Sequence, residues 1–280
     1  MIEEVSTISE ADFKRNYINK GKPVIIRHST EVAQACKFWS MNYLTEKQPE
    51  QQVRVASYED NKLTLFPLEY LKMTMRKFTE LVRKDGNHKK YYLAEANLDQ
   101  TLPISKNEIS IPHFIPKNKL LYKLLFIGID TLTSAHYHFP PLEALLTQVV
   151  GEKKVLLYPA AQYKLLYPFP WYSKYSNWSR VPIDPNDENR LCAKEYPKLK
   201  NINEYVVLLG PGESLYIPQG WFHVAQGIGE SISVSFFFKG SLFNSTFYLV
   251  CTAIAANFLK STLWLRKPKL SLTEFDSREK

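Results

Sequence analysis

His136-Tyr-His138, with Glu143 five residues further on, carries the residue types of a metal centre. So does a distant segment, Gly212-Glu-Ser-Leu-Tyr-Ile-Pro218-Gln-Gly220-Trp-Phe-His223. Imidazole and carboxylate donors suit a first-row divalent ion such as Fe(II), provided they converge and leave positions open for substrate or oxygen. Two His at i and i+2 on a strand point to one face of a sheet. A third His from another strand closes a facial site there. His28, His88 and His113 lack such a context and read as structural.

The elements that must position these residues are legible in outline. Residues 1–120 read as mixed α and β. Ser9 opens a helix through Tyr17, with Glu10 and Asp12 in its first turn. Val24–Arg27, Val53–Ser57 and Tyr91–Leu93 are β runs, and Thr74–Arg83 has helical apolar spacing. From 121 to 239 the pattern becomes a series of short strands. They are Leu121–Ile129, Thr133–His138, Ala144–Val150, Lys153–Tyr158, Tyr205–Leu209, Ser214–Ile217, Phe222–Gln226 and Ser231–Phe238. Turn signals at Gly151, Pro211-Gly212 and Gly227-Ile-Gly229 separate several of them. Such a run predicts a mainly β jelly roll or barrel with flanking helices. Residues 159–204 form a loop insertion rich in Pro, Tyr, Trp and Asp, and 241–280 a helical tail.

Bulk properties bound the class. The 280 residues, 45% hydrophobic and 14% aromatic, make a folded chain with a substantial core. The net charge of +8 is a mild excess, a soft hint of an acidic partner such as RNA or anionic lipid. Cys36, Cys192 and Cys251 are isolated, which fits neither a zinc cluster nor a disulfide framework. The acidic N-terminus lacks an apolar signal core, so a cytoplasmic location is expected. Phe247–Leu265 is largely apolar but interrupted by Asn257 and Lys260. It predicts a buried or dimer-forming helix rather than a stable membrane span.

Gly212-x5-Pro218-x-Gly220-x2-His223 resembles the second cupin motif, and His136-x-His138-x4-Glu143 the first. Further segments recur in order: Lys22-Pro-Val-Ile-Ile-Arg27, Tyr91-Tyr-Leu93, Thr133-Ser-Ala-His-Tyr137, Gln148-Val-Val-Gly-Glu-Lys153 and Leu157-Tyr-Pro159. Together, from about residue 8 to 240, they resemble the JmjC-related, cupin-like (Cupin_8 type) 2-oxoglutarate oxygenases. The nearest subgroup holds the hypoxia-inducible-factor asparaginyl hydroxylase and the wybutosine-pathway tRNA hydroxylase. The resemblance implies a double-stranded β-helix with a C-terminal helix, one domain over 1–240, and Fe(II) with 2-oxoglutarate as cosubstrate. By motif it also implies His223 as the distal iron ligand, and Lys153 and Thr133 as cosubstrate-binding residues. Such relatives hydroxylate peptide or protein side chains, tRNA bases or small molecules, and a C-terminal helical unit makes a homodimer in the asparaginyl hydroxylase group.

The family's HxD motif is altered in this sequence. Aligning Thr133-Ser-Ala-His136-Tyr with the family pattern puts His138 where the Asp belongs. Counting back from Gly151 instead makes His138 the first ligand and puts Pro140 at the carboxylate position. Three readings follow. In the first, His136, His138 and His223, with or without Glu143, bind Fe(II) or another divalent ion. Alternatively, His138 and His223 hold iron beside a vacant position, as in the 2-oxoglutarate halogenases. In the third, the site has decayed and the barrel is a non-catalytic binding scaffold. The insertion's Tyr163, Tyr167, Trp171, Tyr172, Tyr175 and Trp178 either stack on a substrate or pack the loop onto the barrel.

Overall fold

The computed structural model of the protein describes residues 1–58, 66–84, 89–192 and 194–240. The expected tail helix and dimer contact over 247–265, and His88, lie outside the described residues. No helix among the described residues is long and apolar enough to cross a membrane.

Among the described residues, eleven strands form one hydrogen-bonded network. They are β1 (Glu3–Val5), β2 (Val24–Ile26), β3 (Gln52–Ser57), β4 (Glu69–Thr74), β5 (Tyr91–Asn97), β6 (Leu120–Ile129), β7 (Leu132–His136), β8 (Leu142–Tyr158), β9 (Tyr205–Leu209), β10 (Ser214–Ile217) and β11 (Phe222–Lys239). β8 and β11 are long, pair with each other and bend in the middle. The first half of β8 and the second half of β11 join β10 and β6. Their other halves join β9 and β7. Two sheet halves thus share a pair of bent strands, which is the jelly-roll architecture expected.

The strand boundaries differ in an instructive way. Gly151 and the Gly227–Gly229 stretch read as breaks between strands, yet each lies within one continuous strand. There the turn chemistry bends the strand instead of ending it. Gly151 sits at φ +67°, and a Cβ there would lie 2.1 Å from the Glu230 carbonyl oxygen. Only glycine tolerates both demands. Gly151→Ala is expected to cost about 3 kcal/mol or more, combining left-handed strain with a backbone clash. Denaturant midpoints of variant and wild type check this.

The N-terminal part packs on the first half. Helix α1 (Glu10–Phe13) begins as read, with Ser9 Oγ accepting from Asp12 N at 3.1 Å, but widens into a π turn over Lys14–Ile18. Helices α2 (Ala33–Phe38) and α3 (Met41–Lys47) follow. Helix α4 (Met75–Arg83) is capped by Thr74, whose hydroxyl accepts from Lys77 N at 3.2 Å. The main core joins Phe13, Met41, Phe78 and Val82 to Leu93, Leu125, Val234 and Phe236, all at most 1% exposed. Burial of each such side chain stabilises by about 1.5–3 kcal/mol.

The insertion is clamped down by its own core of Tyr158, Leu166, Val181, Phe222 and Val224. Glu204 ties it further, accepting from Tyr158 Oη at 2.6 Å and pairing with Arg190. Its segment 177–179 adds an extra rung to β7. Ser179 N donates to the Ala135 carbonyl at 2.8 Å, and Tyr137 N to the Asn177 carbonyl at 2.9 Å.

Candidate metal centre

β11 carries His223 and pairs with β7, which carries His136. His223 is opposite His136 of β7 in the ladder, so both rings project from adjacent strands. β7 ends at His136, because Tyr137 turns its N–H to the insertion. His138 nevertheless falls on the same side, two residues on. The ring centroids are 4.2 Å apart for His136 and His223, 4.7 Å for His138 and His223, and 5.5 Å for His136 and His138. One nitrogen from each ring lies within 4.8 Å of the other two. The three imidazoles converge on one point, as the first reading of the motif requires.

Their outer contacts favour ligation. His136 Nδ1 is 2.9 Å from the Ser134 carbonyl, and His223 Nδ1 is 3.2 Å from the Trp221 carbonyl. A carbonyl only accepts, so each Nδ1 carries the proton and each Nε2 keeps a free lone pair. His138 Nδ1 is buried with no hydrogen-bond partner among the described residues. An orphaned buried nitrogen costs free energy that an ion would recover. Burial lowers the pKa of all three rings, and the neighbouring His136 lowers those of His138 and His223 further. The rings are therefore neutral at physiological pH, the state a metal needs.

A cavity of about 260 Å³ opens beside the triad, lined also by Thr133, Lys153, Asn177 and Trp178. Lys153 is 3% exposed. Its Nζ donates to Ser233 Oγ at 2.5 Å and lies 5.5 Å from the Phe126 ring centre. Burial pushes its pKa down to about 7. Thr133 sits beside Tyr92, whose phenol burial raises to about 12. A lysine sunk in an apolar wall, with no carboxylate partner among the described residues, fits an anionic ligand end.

Glu143 does not join the cluster. Its Oε2 accepts from Tyr216 Oη at 2.9 Å and from Gln219 N at 2.8 Å. The carboxylate thus faces the Tyr216 side and ties β8 to the turn after β10, and the triad among the described residues is three neutral rings. Burial raises the Glu143 pKa to about 7. The folded carboxyl therefore holds its proton above its ordinary value of 4.5, and this contribution to stability is lost as pH rises through about 7. Glu143→Gln is expected to leave metal affinity within about twofold and to gain about 1–2 kcal/mol of stability above pH 7, with the gain vanishing towards pH 4.5. Metal titration and denaturation across that range check both parts.

The insertion's aromatics mostly pack. Tyr163 is buried, and Tyr167 meets Tyr196 edge-on at 5.2 Å. Tyr175 stacks on Phe66 at 3.9 Å. Trp178 roofs the centre, stacked on His136 at 4.9 Å and touching Phe66 at 5.1 Å. Only Trp171 and Tyr172 of that group are largely exposed, at 49% and 62%. Motif spacing had no means to single out Asn177 on the cavity wall or Ser233 beside Lys153, since both come from segments distant in sequence.

Comparison with known proteins agrees with this geometry. A family model described as a cupin-like domain matches residues 10–243. The chain is 30% identical to the lysine-specific demethylase JMJ30 of Arabidopsis thaliana over 251 residues, 88% of this chain and 56% of that protein. It is 26% identical to lysine-specific demethylase 8 of Xenopus tropicalis over 232 residues, covering 81% and 50%. Human tRNA wybutosine-synthesizing protein 5 matches at 20% over 260 residues, covering 85% and 78%. The chain thus spans about half the length of the two demethylases. Motifs, sheet pairing and family match coincide: this chain belongs to the cupin-like domain family, with JmjC demethylases and a wybutosine-synthesizing protein among its relatives.

Proposed function

We propose that this chain is an Fe(II)- and 2-oxoglutarate-dependent oxygenase that hydroxylates a peptide or protein side chain. The observation that carries the reading is the convergence of His136, His138 and His223 in one cavity with the buried Lys153. Bound Fe(II) with 2-oxoglutarate supplies oxygen-dependent C–H oxidation, releasing succinate and carbon dioxide. The chain's own residues then have distinct tasks. The three imidazoles would hold the ion, those of His136 and His223 through lone pairs oriented by the Ser134 and Trp221 carbonyls. Lys153 takes the far carboxylate of the cosubstrate, with Ser233 steadying its Nζ. Thr133 and Tyr92 shape the adjoining wall. Trp178 covers His136 and excludes water from that side.

Lys153 holds its proton only up to about pH 7 in the empty cavity, so binding a dianion draws a proton onto it. The affinity for 2-oxoglutarate is expected to fall about tenfold per pH unit above 7, as calorimetry in buffers of different ionisation heat would show.

One observation favours a second reading. Three neutral ligands leave a divalent ion with one more unit of positive charge than a two-His, one-carboxylate site. A non-catalytic binding protein with a residual metal site fits that change. An anaerobic titration with Fe(II) and 2-oxoglutarate decides between them. A weak visible charge-transfer band, followed by succinate release on admitting oxygen, supports the oxygenase. No retained metal and no band sink it.

A further inference from the structure

β7 has β11 along one edge and a piece of the insertion along the other. On the insertion side His136 bridges to Trp178, and Ser179 N donates to the Ala135 carbonyl at 2.8 Å. β7 ends at His136, yet His138 has to stand on the same face for the three rings to converge. The relation of these two rings therefore passes through the one residue between them, Tyr137.

Asn177 takes both main-chain groups of Tyr137. Tyr137 N donates to the Asn177 carbonyl at 2.9 Å, and Asn177 Nδ2 donates back to the Tyr137 carbonyl at 2.9 Å. In an antiparallel ladder a hydrogen-bonded pair exchanges two such bonds, main chain to main chain. Here a side-chain amide supplies the second donor, and the pairing continues one residue past the end of β7. Leu, close to Asn in size, has no donor, and an ionised Asp only accepts.

The clamp is anchored from outside β7. Trp178 N donates to the Tyr175 carbonyl at 2.7 Å, and the buried Ser179 hydroxyl to the Leu166 carbonyl at 2.6 Å. The Tyr137 ring is 1% exposed and meets Phe139 edge-on at 5.3 Å. One residue on, the His138 carbonyl accepts from Gly220 N at 3.0 Å. The insertion and the turn after β10 thus grip successive main-chain groups of the His136-Tyr-His138 segment. Asn177 also lines the histidine cavity, but its Nδ2 is engaged by the Tyr137 carbonyl. It acts on the backbone that carries the rings.

We propose that Asn177 is a positioning residue that fixes where His138 stands relative to His136, which makes the insertion part of the metal centre. This rests on the three-histidine centre of the reading above.

The test compares Asn177→Leu, which keeps the volume and loses the donor, with Val181→Ala, which loosens the insertion's core and leaves the Tyr137 clamp in place. The full chain is titrated with Co(II) against a chromophoric chelator, and its ligand-field spectrum and melting temperature are recorded. Asn177→Leu is expected to weaken Co(II) binding by about tenfold and to change the ligand-field bands. Asn177→Ala carries the same expectation should the leucine variant fail to fold. Val181→Ala should lower the melting temperature and leave affinity and spectrum as in the wild type. Wild-type affinity and spectrum in the Asn177 variants, or equal losses in Val181→Ala, would overturn the proposal. The metal-free protein gives a second readout by NMR: the His138 ring resonances should shift in the Asn177 variants while those of His223 hold. If the wild type binds no Co(II), the metal reading fails on its own account. The His138 resonances then still decide the role of Asn177, and their staying in place overturns it.

Discussion

Lys153→Met is expected to stabilise the metal-free protein and, in the same variant, to abolish 2-oxoglutarate binding. Lys153 is 3% exposed, and its only polar partner among the described residues is the Ser233 hydroxyl. Burial moves its pKa from 10.5 to about 7. Each pKa unit corresponds to roughly 1.4 kcal/mol, and losing the Ser233 and Phe126 contacts offsets part of the gain, so the net stabilisation near pH 7 is about 2–4 kcal/mol. The sign with pH is fixed. The folded state gives up the proton before the unfolded state does, so wild-type stability rises from about pH 7 towards 10.5. The advantage of Lys153→Met therefore shrinks across that window, which denaturant titrations at pH 7 and pH 9.5 would resolve. Binding moves the other way. A carboxylate left in this cavity without a cation loses about 3–5 kcal/mol, a drop of more than about 100-fold in affinity. A variant that melts lower and still binds 2-oxoglutarate would leave Lys153 with a packing role alone.

His223→Ala and His138→Ala should each weaken metal binding by about 100-fold, while Glu143→Gln leaves it intact. Four-ligand protein sites bind zinc with about 10–16 kcal/mol, so one ligand accounts for roughly 3 kcal/mol. The two histidines are equal in this respect because both rings belong to the convergent set. Competition against a chromophoric chelator, with Co(II) or Zn(II), measures it. His138→Asp supplies the carboxylate of the HxD pattern that the segment resembles. It is expected to raise affinity for Mn(II) and Fe(II) relative to Zn(II) by about tenfold, since oxygen donors suit the harder ions. Should His138→Ala bind metal as tightly as wild type, His136 and His223 alone hold the ion and His138 is a cavity wall.

The fold could be read from the sequence because its markers are local. Val24–Ile26, Tyr205–Leu209 and Ser214–Ile217 are short β runs with turn residues beside them, and each lies where the pattern put it. The long strands were harder to see. Gly151 and Gly227–Gly229 carry the same residues whether a chain turns back or bends within a ladder. Only the partner strand decides, and that partner is remote. The same limit applied to the site. His136, His138 and His223 were visible through their spacing, yet nothing local showed that Glu143 would be claimed by Tyr216 and Gln219. Glu95, on the wall of the histidine cavity, was invisible because its place depends on a bulge against β6.

The bent pair β8 and β11 has a kinetic consequence. Lys153 and Ser233, joined by one hydrogen bond, are 80 residues apart in sequence. No part of the centre is complete until these two strands have zipped together with the insertion already looped out between them. Closing so long a loop before its contacts form is slow. Metal capture should therefore be a late event in refolding, lagging behind recovery of strand signal. The ion would then report completion of the jelly roll rather than start it.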